Sequence, residues 1–348
     1  MKATNPANPL PVIDLHEDIT MYYLGFGAGE PLDDYNVDLP GRDADIPKYM
    51  KGNVRVVFAS IFPGTTTFNL KAVKESLKRN SRRITDTIMR YPQTKLFEHF
   101  RVLYMLSEAY GIKILESFND VEEVLNAEAF KLGFIIHLEG AEALDDPYDL
   151  KLLKKLGLRS LGLTWNYNNR WGSSCTSRKD YGLTPDGEEL VKVANEEGVL
   201  IDLAHASKKT AIEAIEASKK PVIVSHANVK SVHNHPRNVD DDVLEALHKC
   251  GGVIGVTAVS SFITSKPKAT IEDLINHVLY IYERFGSHIL GIGTDFHGLL
   301  GSSPPEGFES VDRVQHLLTL LSEKGLGDND LRNIAYSNVM RVLKAVFT

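Results

Sequence analysis

The chain has 348 residues, of which 43% are hydrophobic and 24% are charged, a globular composition that argues against wholesale disorder. Its net charge of −7 argues against a nucleic-acid partner, which normally requires a basic face. No apolar run approaches the roughly 20 residues that span a bilayer, and neither terminus carries a signal core or an anchor tail. The two cysteines, Cys175 and Cys250, are too few for a disulfide framework. We therefore expect a cytoplasmic protein without a membrane partner.

Eight short apolar runs, rich in β-branched residues, alternate with longer stretches of helical periodicity. Such continuous runs are typical of parallel strands that are buried on both faces. The predicted strands are Val12–Leu15, Val54–Ile61, Phe134–Leu138, Ser160–Leu163, Val199–Leu203, Val222–Val224, Val253–Val256 and Ile289–Gly293. Eight strand–helix alternations predict an α/β protein built as a single (β/α)8 TIM barrel.

Helix signals lie between the predicted strands. Leu70–Met89 and Asp240–Lys249 have helical periodicity, and Gly187–Glu197 is followed by Gly198 as a stop signal. Thr270–Asp273 reads as a capping box at the start of a further helix.

The chain exceeds a typical barrel by roughly a hundred residues. The surplus falls in Gly25–Lys51, in the helical region between the second and third predicted strands, and in Ser260–Thr270. No linker, repeat or low-complexity tract divides the sequence, so we expect one domain over residues 1–348, with insertions in its β–α loops.

Metal-competent side chains follow several of the predicted strands. His16 and Asp18 end the first strand and project to the same side, because a strand alternates its faces. The others are Glu139 after the third strand, His205 after the fifth, His226 after the sixth and Asp295 after the eighth. A barrel brings the carboxyl ends of all its strands to one rim, so these residues are predicted to converge.

Three imidazoles and three carboxylates exceed the needs of one tetrahedral ion. They suit two divalent cations about 3.5–4 Å apart, bridged by one carboxylate and by a water or hydroxide. His16, Asp18 and Glu139 would hold one ion, and Glu139, His205 and His226 the other. Mixed nitrogen and oxygen ligands fit zinc, with manganese, cobalt or iron as alternatives. Such a pair lowers the pKa of the bridging water towards about 7, which predicts a hydrolase.

Motifs in the same order identify a family. They are His16-Glu17-Asp18, His137–Glu142, Leu158–Thr164, Asp202–Ser207, Ser225–Asn228, Pro236–Val239 with Asp241-Asp242, Gly293–Phe296 and Tyr336–Val342. With these motifs the chain resembles the renal (membrane) dipeptidase family of binuclear zinc metallopeptidases, which is related to the amidohydrolase barrels. The resemblance spans nearly the whole chain.

The resemblance implies roles for individual residues. The zinc ligands would be His16, Asp18, Glu139, His205 and His226. Arg237 would hold the substrate's carboxylate through its planar pair of donors. Asp295 would meet the substrate's amino group and handle the proton of the attacking water. A substrate held at both ends is a dipeptide, and the family also accepts a D-residue at its second position. By analogy with the family, a homodimer is possible.

The chain departs from the family at two positions. Trp165 stands where the best-known members carry an oxyanion-stabilising histidine, and His297 stands where the family often has aspartate. Loss of one oxyanion donor typically costs about 10²–10³ in rate. Asn166, Asn168 or Asn169 is a candidate replacement donor, and Trp165 and Asn166 are predicted to contact substrate.

Other interpretations remain open from the sequence. One is an amidohydrolase acting on N-acyl amino acids or cyclic amides, and another is a metal-dependent phosphoesterase. A third is a metal-binding homologue that has lost turnover through Trp165. Among the other histidines, His137 is expected in the core, and His233 and His235 are candidate substrate contacts.

Overall fold

The computed structural model describes residues 9–24, 33–66 and 91–347. Parallel strands form its centre, and all of them except the two-residue third strand are almost wholly buried. They are β1 (Val12–Glu17), β2 (Val54–Ile61), β3 (Lys113–Ile114), β4 (Gly133–Leu138), β5 (Leu158–Gly162), β6 (Leu200–Asp202), β7 (Ile223–Val224), β8 (Val253–Val256) and β9 (Leu290–Ile292).

Eight of these strands close into a barrel. The first strand pairs with the last through Asp14 and Ile292, and β2 pairs with β4 from Val56–Gly133 to Ile61–Leu138. The two-residue β3 pairs only with β4 and stands outside the closed ring. The predicted (β/α)8 barrel is therefore confirmed, and all eight predicted strands are present within one or two residues of their predicted bounds.

Helices surround the barrel. They are α1 (Ile19–Leu24), α2 (Ile46–Gly52), α3 (Thr94–Tyr110), α4 (Phe118–Leu125), α5 (Asp149–Lys155), α6 (Pro185–Glu197), α7 (Lys208–Ala217), α8 (Asp241–Cys250), α9 (Ser260–Ile263), α10 (Ile271–Phe285), α11 (Val314–Glu323), α12 (Asp328–Arg332) and α13 (Asn338–Val346). In the described ranges, no helix is long and apolar enough to cross a membrane. The helix predicted at Leu70–Met89 lies outside the described residues.

Local sequence signals set several helix ends. The side chain of Thr270 accepts the backbone N–H of Asp273, and Asp273 caps Thr270 in return, so the predicted capping box is confirmed. The α6 helix begins at Pro185, two residues before the predicted start, with Thr184 as its N-cap. It ends at Glu197, and the predicted stop residue Gly198 is its C-cap, with a left-handed φ of 67°.

One end of the barrel is filled by apolar side chains. Ile13, Phe58 and Ile135 of the strands belong to one buried cluster with Val121 of α4 and Val342 of α13. Buried polar residues instead follow the carboxyl ends of the strands. The apolar filling leaves this second end as the place for chemistry.

Candidate metal centre and substrate cavity

All nine predicted site residues lie at the carboxyl end of the barrel. His16 is the penultimate residue of β1, Asp18 follows that strand, and Glu139 follows β4. The others follow later strands: Trp165 and Asn166 after β5, His205 after β6, His226 and Arg237 after β7, and Asp295 after β9. The barrel thereby brings residues from distant parts of the chain into one place.

Glu139 is the centre of this group. Its Oε1 lies 2.9 Å from Nε2 of His205, 3.5 Å from Nε2 of His226 and 3.8 Å from Nε2 of His16. The Glu139 residue is 4% exposed and the three imidazoles are buried. One carboxylate oxygen therefore faces three imidazole nitrogens in a space nearly closed to water.

Two triads of potential metal ligands share Glu139. His16, Asp18 and Glu139 form one, and Glu139, His205 and His226 form the other, with the donor atoms of each within 4.8 Å of one another. Asp202 makes a third triad with His16 and His226, but its oxygens accept hydrogen bonds from Ala204, Ser225 and the Ser225 hydroxyl. Asp202 therefore supports the site from beneath.

Hydrogen bonds orient two of the imidazoles. Nδ1 of His205 donates to Oδ1 of Asn166 at 2.9 Å, and Nδ1 of His226 donates to the Ser225 hydroxyl at 2.8 Å. That hydroxyl in turn donates to Asp202. These bonds place the proton of each ring on Nδ1 and leave a lone pair on Nε2. A neutral imidazole in this tautomer can bind a metal through Nε2.

The two Nε2 atoms of His205 and His226 lie only 3.0 Å apart. Burial lowers the pKa of both imidazoles well below the ordinary value, so both rings are neutral. Two lone pairs that face each other at this distance repel unless a cation lies between them. The donor set therefore fits a metal ion.

The charge balance of the site indicates the same requirement. Burial lowers the pKa of His16, but the carboxylates of Glu139, Asp18 and Asp295 outweigh it and raise the pKa to about 10. Both ring nitrogens of His16 lack a hydrogen-bond partner among the described residues, and the nearest carboxylate oxygens lie 3.7–3.9 Å away. Burial raises the pKa of the Glu139 carboxyl group well above its ordinary value, and divalent cations would supply the positive charge that keeps this group ionised.

The loop after β9 completes the site. The backbone N–H of Asp295 donates to the carbonyl of His16, and Asp295 has a left-handed φ of 66°. Burial raises the pKa of its carboxyl group to about 7. Gly298 approaches the same carboxylates so closely that a Cβ there would lie 2.1 Å from Asp18 Oδ2. Only glycine leaves both Asp18 and Asp295 in place.

A cavity of about 450 Å³ opens above these residues. Its polar lining includes Asp18, Glu139, Asn166, His205, Arg237 and Asp295, and its apolar lining includes Met21, Phe62, Trp165, Val259, Phe262 and Leu299. His16 and His226 lie beneath it, fully buried. The volume and the mixed lining suit a small polar ligand with apolar side chains.

Arg237 enters the cavity from the loop after β7. Its Nη2 donates to the carbonyl of His226 at 3.1 Å, while its buried Nε has no hydrogen-bond partner in the parts of the chain that the structure describes. An unpaired guanidinium donor beside a cavity is suited to an anionic ligand group.

The residues around Trp165 show which of the three candidate asparagines could donate a hydrogen bond to the oxyanion. The indole ring lines the cavity and packs 4.7 Å from Phe62, between ring centroids. Asn168 bonds Ser177 and Ser174, and Asn169 bonds Leu163, Trp171 and Gly172. Of the three candidate asparagines only Asn166 lines the cavity. The other two hold their own loop together.

Four further histidines considered from the sequence lie outside this group of nine residues. His137 is buried and bonded to Ser160, and burial lowers its pKa to about 4, so it is a core histidine as expected. His297 bonds the hydroxyl of Tyr35. His233 and His235 do not line the cavity, although Arg237 donates its backbone N–H to His235.

Some supporting residues could not be identified from the sequence. Ser225 orients His226, and Phe262 lies under the Arg237 guanidinium with 5.3 Å from Cζ to the ring centroid. One sequence signal could have indicated Ser225, namely its position directly before His226, a candidate metal ligand. Phe262 had none, since its contact joins two loops from different parts of the chain.

Known proteins resemble this chain along most of its length. The family model for membrane dipeptidase (peptidase family M19) matches residues 2–348. Dipeptidase verJ of Clonostachys rogersoniana is 30% identical over 361 residues, covering 99% of this chain and 86% of that protein. Dipeptidase tcpJ of Claviceps purpurea (strain 20.1) is 28% identical over 316 residues, covering 89% and 70% respectively.

Solved structures share the fold. A metallo peptidase from Rhodobacter sphaeroides, liganded with a phosphinate mimic of the dipeptide L-Ala-D-Ala, has a TM-score of 0.79 and 23% identity, over 98% of this chain and 100% of that chain. The dipeptidase AC has a TM-score of 0.81 and 23% identity, over 98% and 99%. These structures therefore share the barrel fold of this chain. By its sequence match and its barrel, the chain belongs to the membrane dipeptidase family, peptidase family M19, and is a metallo-dipeptidase, a hydrolase that acts on peptide bonds.

Proposed function

We propose that this enzyme hydrolyses small dipeptides with two divalent cations, most suitably Zn²⁺, at the carboxyl end of the barrel. His16, Asp18 and Glu139 would hold one cation, and Glu139, His205 and His226 the other. The observation that carries the proposal is the position of Glu139 Oε1, 2.9–3.8 Å from Nε2 of three buried imidazoles. Nitrogen and carboxylate ligands of this kind suit zinc.

The bound cations would polarise the scissile carbonyl and make a water molecule nucleophilic at neutral pH. Residues of the protein would carry out the proton transfers. Asp295 has its Oδ1 3.9 Å from Nε2 of His16, next to the metal ligands and within the cavity. From there its carboxylate would accept the proton of the attacking water and return it to the leaving amine.

The same cavity would hold both ends of a dipeptide. Arg237 would bind the terminal carboxylate through its planar guanidinium, whose Nε is buried and without a partner among the described residues. Asp295 would receive the ammonium group at the other end. A cavity of about 450 Å³ with charges of opposite sign suits two residues and disfavours long peptides.

An assay of the metal-reconstituted enzyme tests this proposal. The substrates are L,L- and L,D-dipeptides, an N-acyl amino acid, a cyclic amide and a phosphodiester. We expect release of free amino acids from dipeptides, including those with a D-residue in second position, at rates well above those of the other classes. Turnover confined to N-acyl amino acids, cyclic amides or the phosphodiester would contradict it.

The variant Arg237→Met tests the carboxylate contact. Removal of a charge-assisted contact of about 1.5–3 kcal/mol should raise KM for dipeptides by roughly ten- to a hundredfold. The same change should have little effect on dipeptides whose carboxyl group is amidated. Arg284→Met, at a half-exposed site on α10, is the matched control. An equal rise of KM for acids and amides would remove the role of Arg237.

A further inference from the structure

The Arg237 side chain contacts Phe262, a residue of the short helix α9 in another β–α connection. The ring of Phe262, in α9, lies 5.3 Å from Cζ of Arg237, within the range of a cation–π contact. Phe262 is half-buried and lines the cavity together with Arg237. Its ring therefore touches both the guanidinium and the space where substrate would sit.

The Phe262 ring is itself held in place. The imidazole of His235 stacks on it, with ring centroids 4.6 Å apart and planes 29° apart. Nδ1 of His235 accepts the backbone N–H of Arg237 at 3.2 Å. His235 thus connects the Phe262 ring to the backbone of the arginine.

A second link joins the two loops. Nδ2 of Asn238 donates to the carbonyl of Phe262 at 2.7 Å and to the carbonyl of His233 at 2.8 Å. Asn238 is buried, so these bonds are protected from water. They fix the distance between α9 and the loop that carries Arg237.

Orientation matters for an arginine that binds a carboxylate. The guanidinium is a planar fork, and two parallel hydrogen bonds form only when its plane is aligned with the carboxylate. A free side chain loses rotamer entropy when it is ordered by a ligand, which weakens binding. An aromatic face under the guanidinium reduces that loss, because the plane is set before substrate arrives.

We propose that Phe262 is a positioning residue for the substrate's carboxylate, acting through Arg237. The inference rests on the proposed function, since it requires that Arg237 binds the substrate's carboxylate. Phe262, in α9, would then align the guanidinium for that contact. Three contacts carry it: the guanidinium on the ring, the His235 stack, and the Asn238 bonds between the loops. Phe262 itself has no polar atom in its side chain and donates nothing to the carboxylate.

The test compares two variants on matched substrates. Phe262→Met keeps the side-chain volume and loses the aromatic face, while Phe262→Tyr keeps the face. KM and kcat are measured for a dipeptide and for the same dipeptide with an amidated carboxyl group. Phe118→Met is the matched control, because the Phe118 ring also carries a cation, Lys344 Nζ at 5.9 Å, but is not part of the cavity lining.

Loss of a cation–π contact should raise KM for the free dipeptide roughly two- to thirtyfold in Phe262→Met, with kcat nearly unchanged. KM for the amide should stay within twofold of wild type, and Phe262→Tyr should restore KM for the free acid. The inference is wrong if Phe262→Met raises KM equally for acid and amide, if it changes neither, or if Phe262→Tyr fails to restore KM. Thermal unfolding of each variant identifies a folding defect, and Phe262→Leu replaces Phe262→Met if the latter does not fold.

The two proposals fail in different ways. If wild-type enzyme hydrolyses no dipeptide, the proposed function fails before any variant is made. If wild type prefers free dipeptides to their amides and Phe262→Met keeps that preference, the function stands and the positioning role of Phe262 is wrong.

Discussion

Oε1 of Glu139 lies 2.9 Å from Nε2 of His205, just beyond the carboxyl ends of β4 and β6. Oδ1 of Asn166 accepts a hydrogen bond from Nδ1–H of His205. The other ring nitrogen, Nε2, therefore presents a lone pair to the electron-rich carboxylate oxygen of Glu139. Such a pair needs a proton or a cation between or beside the two atoms, and a divalent cation would hold the buried Glu139 in its charged form. The hydrogen bonds behind the ligands therefore contribute to metal binding.

Ser225→Ala tests that statement. The Ser225 hydroxyl accepts Nδ1–H of His226 and donates to Asp202, so alanine leaves the imidazole free to turn and to change tautomer. Loss of such a partner typically costs about 10- to 100-fold in metal affinity, and we expect a loss in that range. The measurement is competition with a chromophoric chelator. Ser322→Ala, exposed on α11, is the control. An unchanged affinity in Ser225→Ala would show that the hydroxyl does not orient the ligand.

Gly298→Ala should damage the site although Gly298 has no side chain that could bind metal or substrate. The added Cβ would lie 2.1 Å from Asp18 Oδ2 and 2.6 Å from Asp295 Oδ1, so at least one carboxylate must move. A displacement near 1 Å in a catalytic site can cost about 10²-fold in rate, and kcat/KM should fall by that order. In the control Gly327→Ala, the nearest atom to the new Cβ is 3.6 Å away. Activity within threefold of wild type in Gly298→Ala would show that the carboxylates are not constrained as described.

Trp165→His examines the missing oxyanion donor. The indole lines the cavity, with its ring centroid 5.9 Å from that of His205, so an imidazole at this position can approach the reacting carbonyl. Trp165→Phe serves as the comparison, since it keeps an aromatic ring and has no donor. One oxyanion donor is worth about 10²–10³ in rate, and we expect kcat of the histidine variant to exceed that of the phenylalanine variant at least about tenfold. Equal kcat values for the two variants would mean that no donor is needed here.

His277 should make stability depend on pH. The imidazole accepts the backbone N–H of Val229 at Nδ1 and donates from Nε2 to the carbonyl of Ile263, so it fits only as a neutral ring. Burial lowers its pKa from 6.5 to about 4. Between these values the unfolded chain binds a proton that the folded chain does not, so the stabilisation present above pH 6.5 is lost as the pH falls towards 4.

The expected size of this effect is about 2 kcal/mol in the free energy of unfolding between pH 7 and pH 5. His277→Gln should therefore lose that part of the pH dependence, as measured by denaturant unfolding at each pH. His248→Gln, exposed on α8, should leave the slope as in wild type. The assignment would be wrong if the wild-type and His277→Gln curves stayed parallel across this range.

Much of the barrel could be predicted from the sequence, because parallel strands buried on both faces leave continuous apolar runs such as Val54–Ile61 and Val253–Val256. Polar residues that follow such runs, such as Glu139 and Asp295, were predicted to meet because a barrel brings the carboxyl ends of its strands to one rim. The short β3 was not predicted, since two residues with a lysine carry no strand pattern.

Contacts between loops could not be predicted in this way. The stack of Phe262 on His235 and the bonds of Asn238 depend on how two loops approach, and no local periodicity encodes that approach. The positive φ of His205 and Asp295 was equally hidden, because neither residue is glycine and tertiary contacts impose the conformation.

The position of metal ions in the reconstituted enzyme tests the central claim most directly. Crystals grown with Zn²⁺ and measured at the zinc absorption edge would show anomalous scattering peaks at each ion. We expect two peaks about 3.5–4 Å apart with the Glu139 carboxylate between them, one next to His16 and Asp18 and the other next to His205 and His226. A single peak, or two peaks that do not share Glu139, would contradict the paired-cation site.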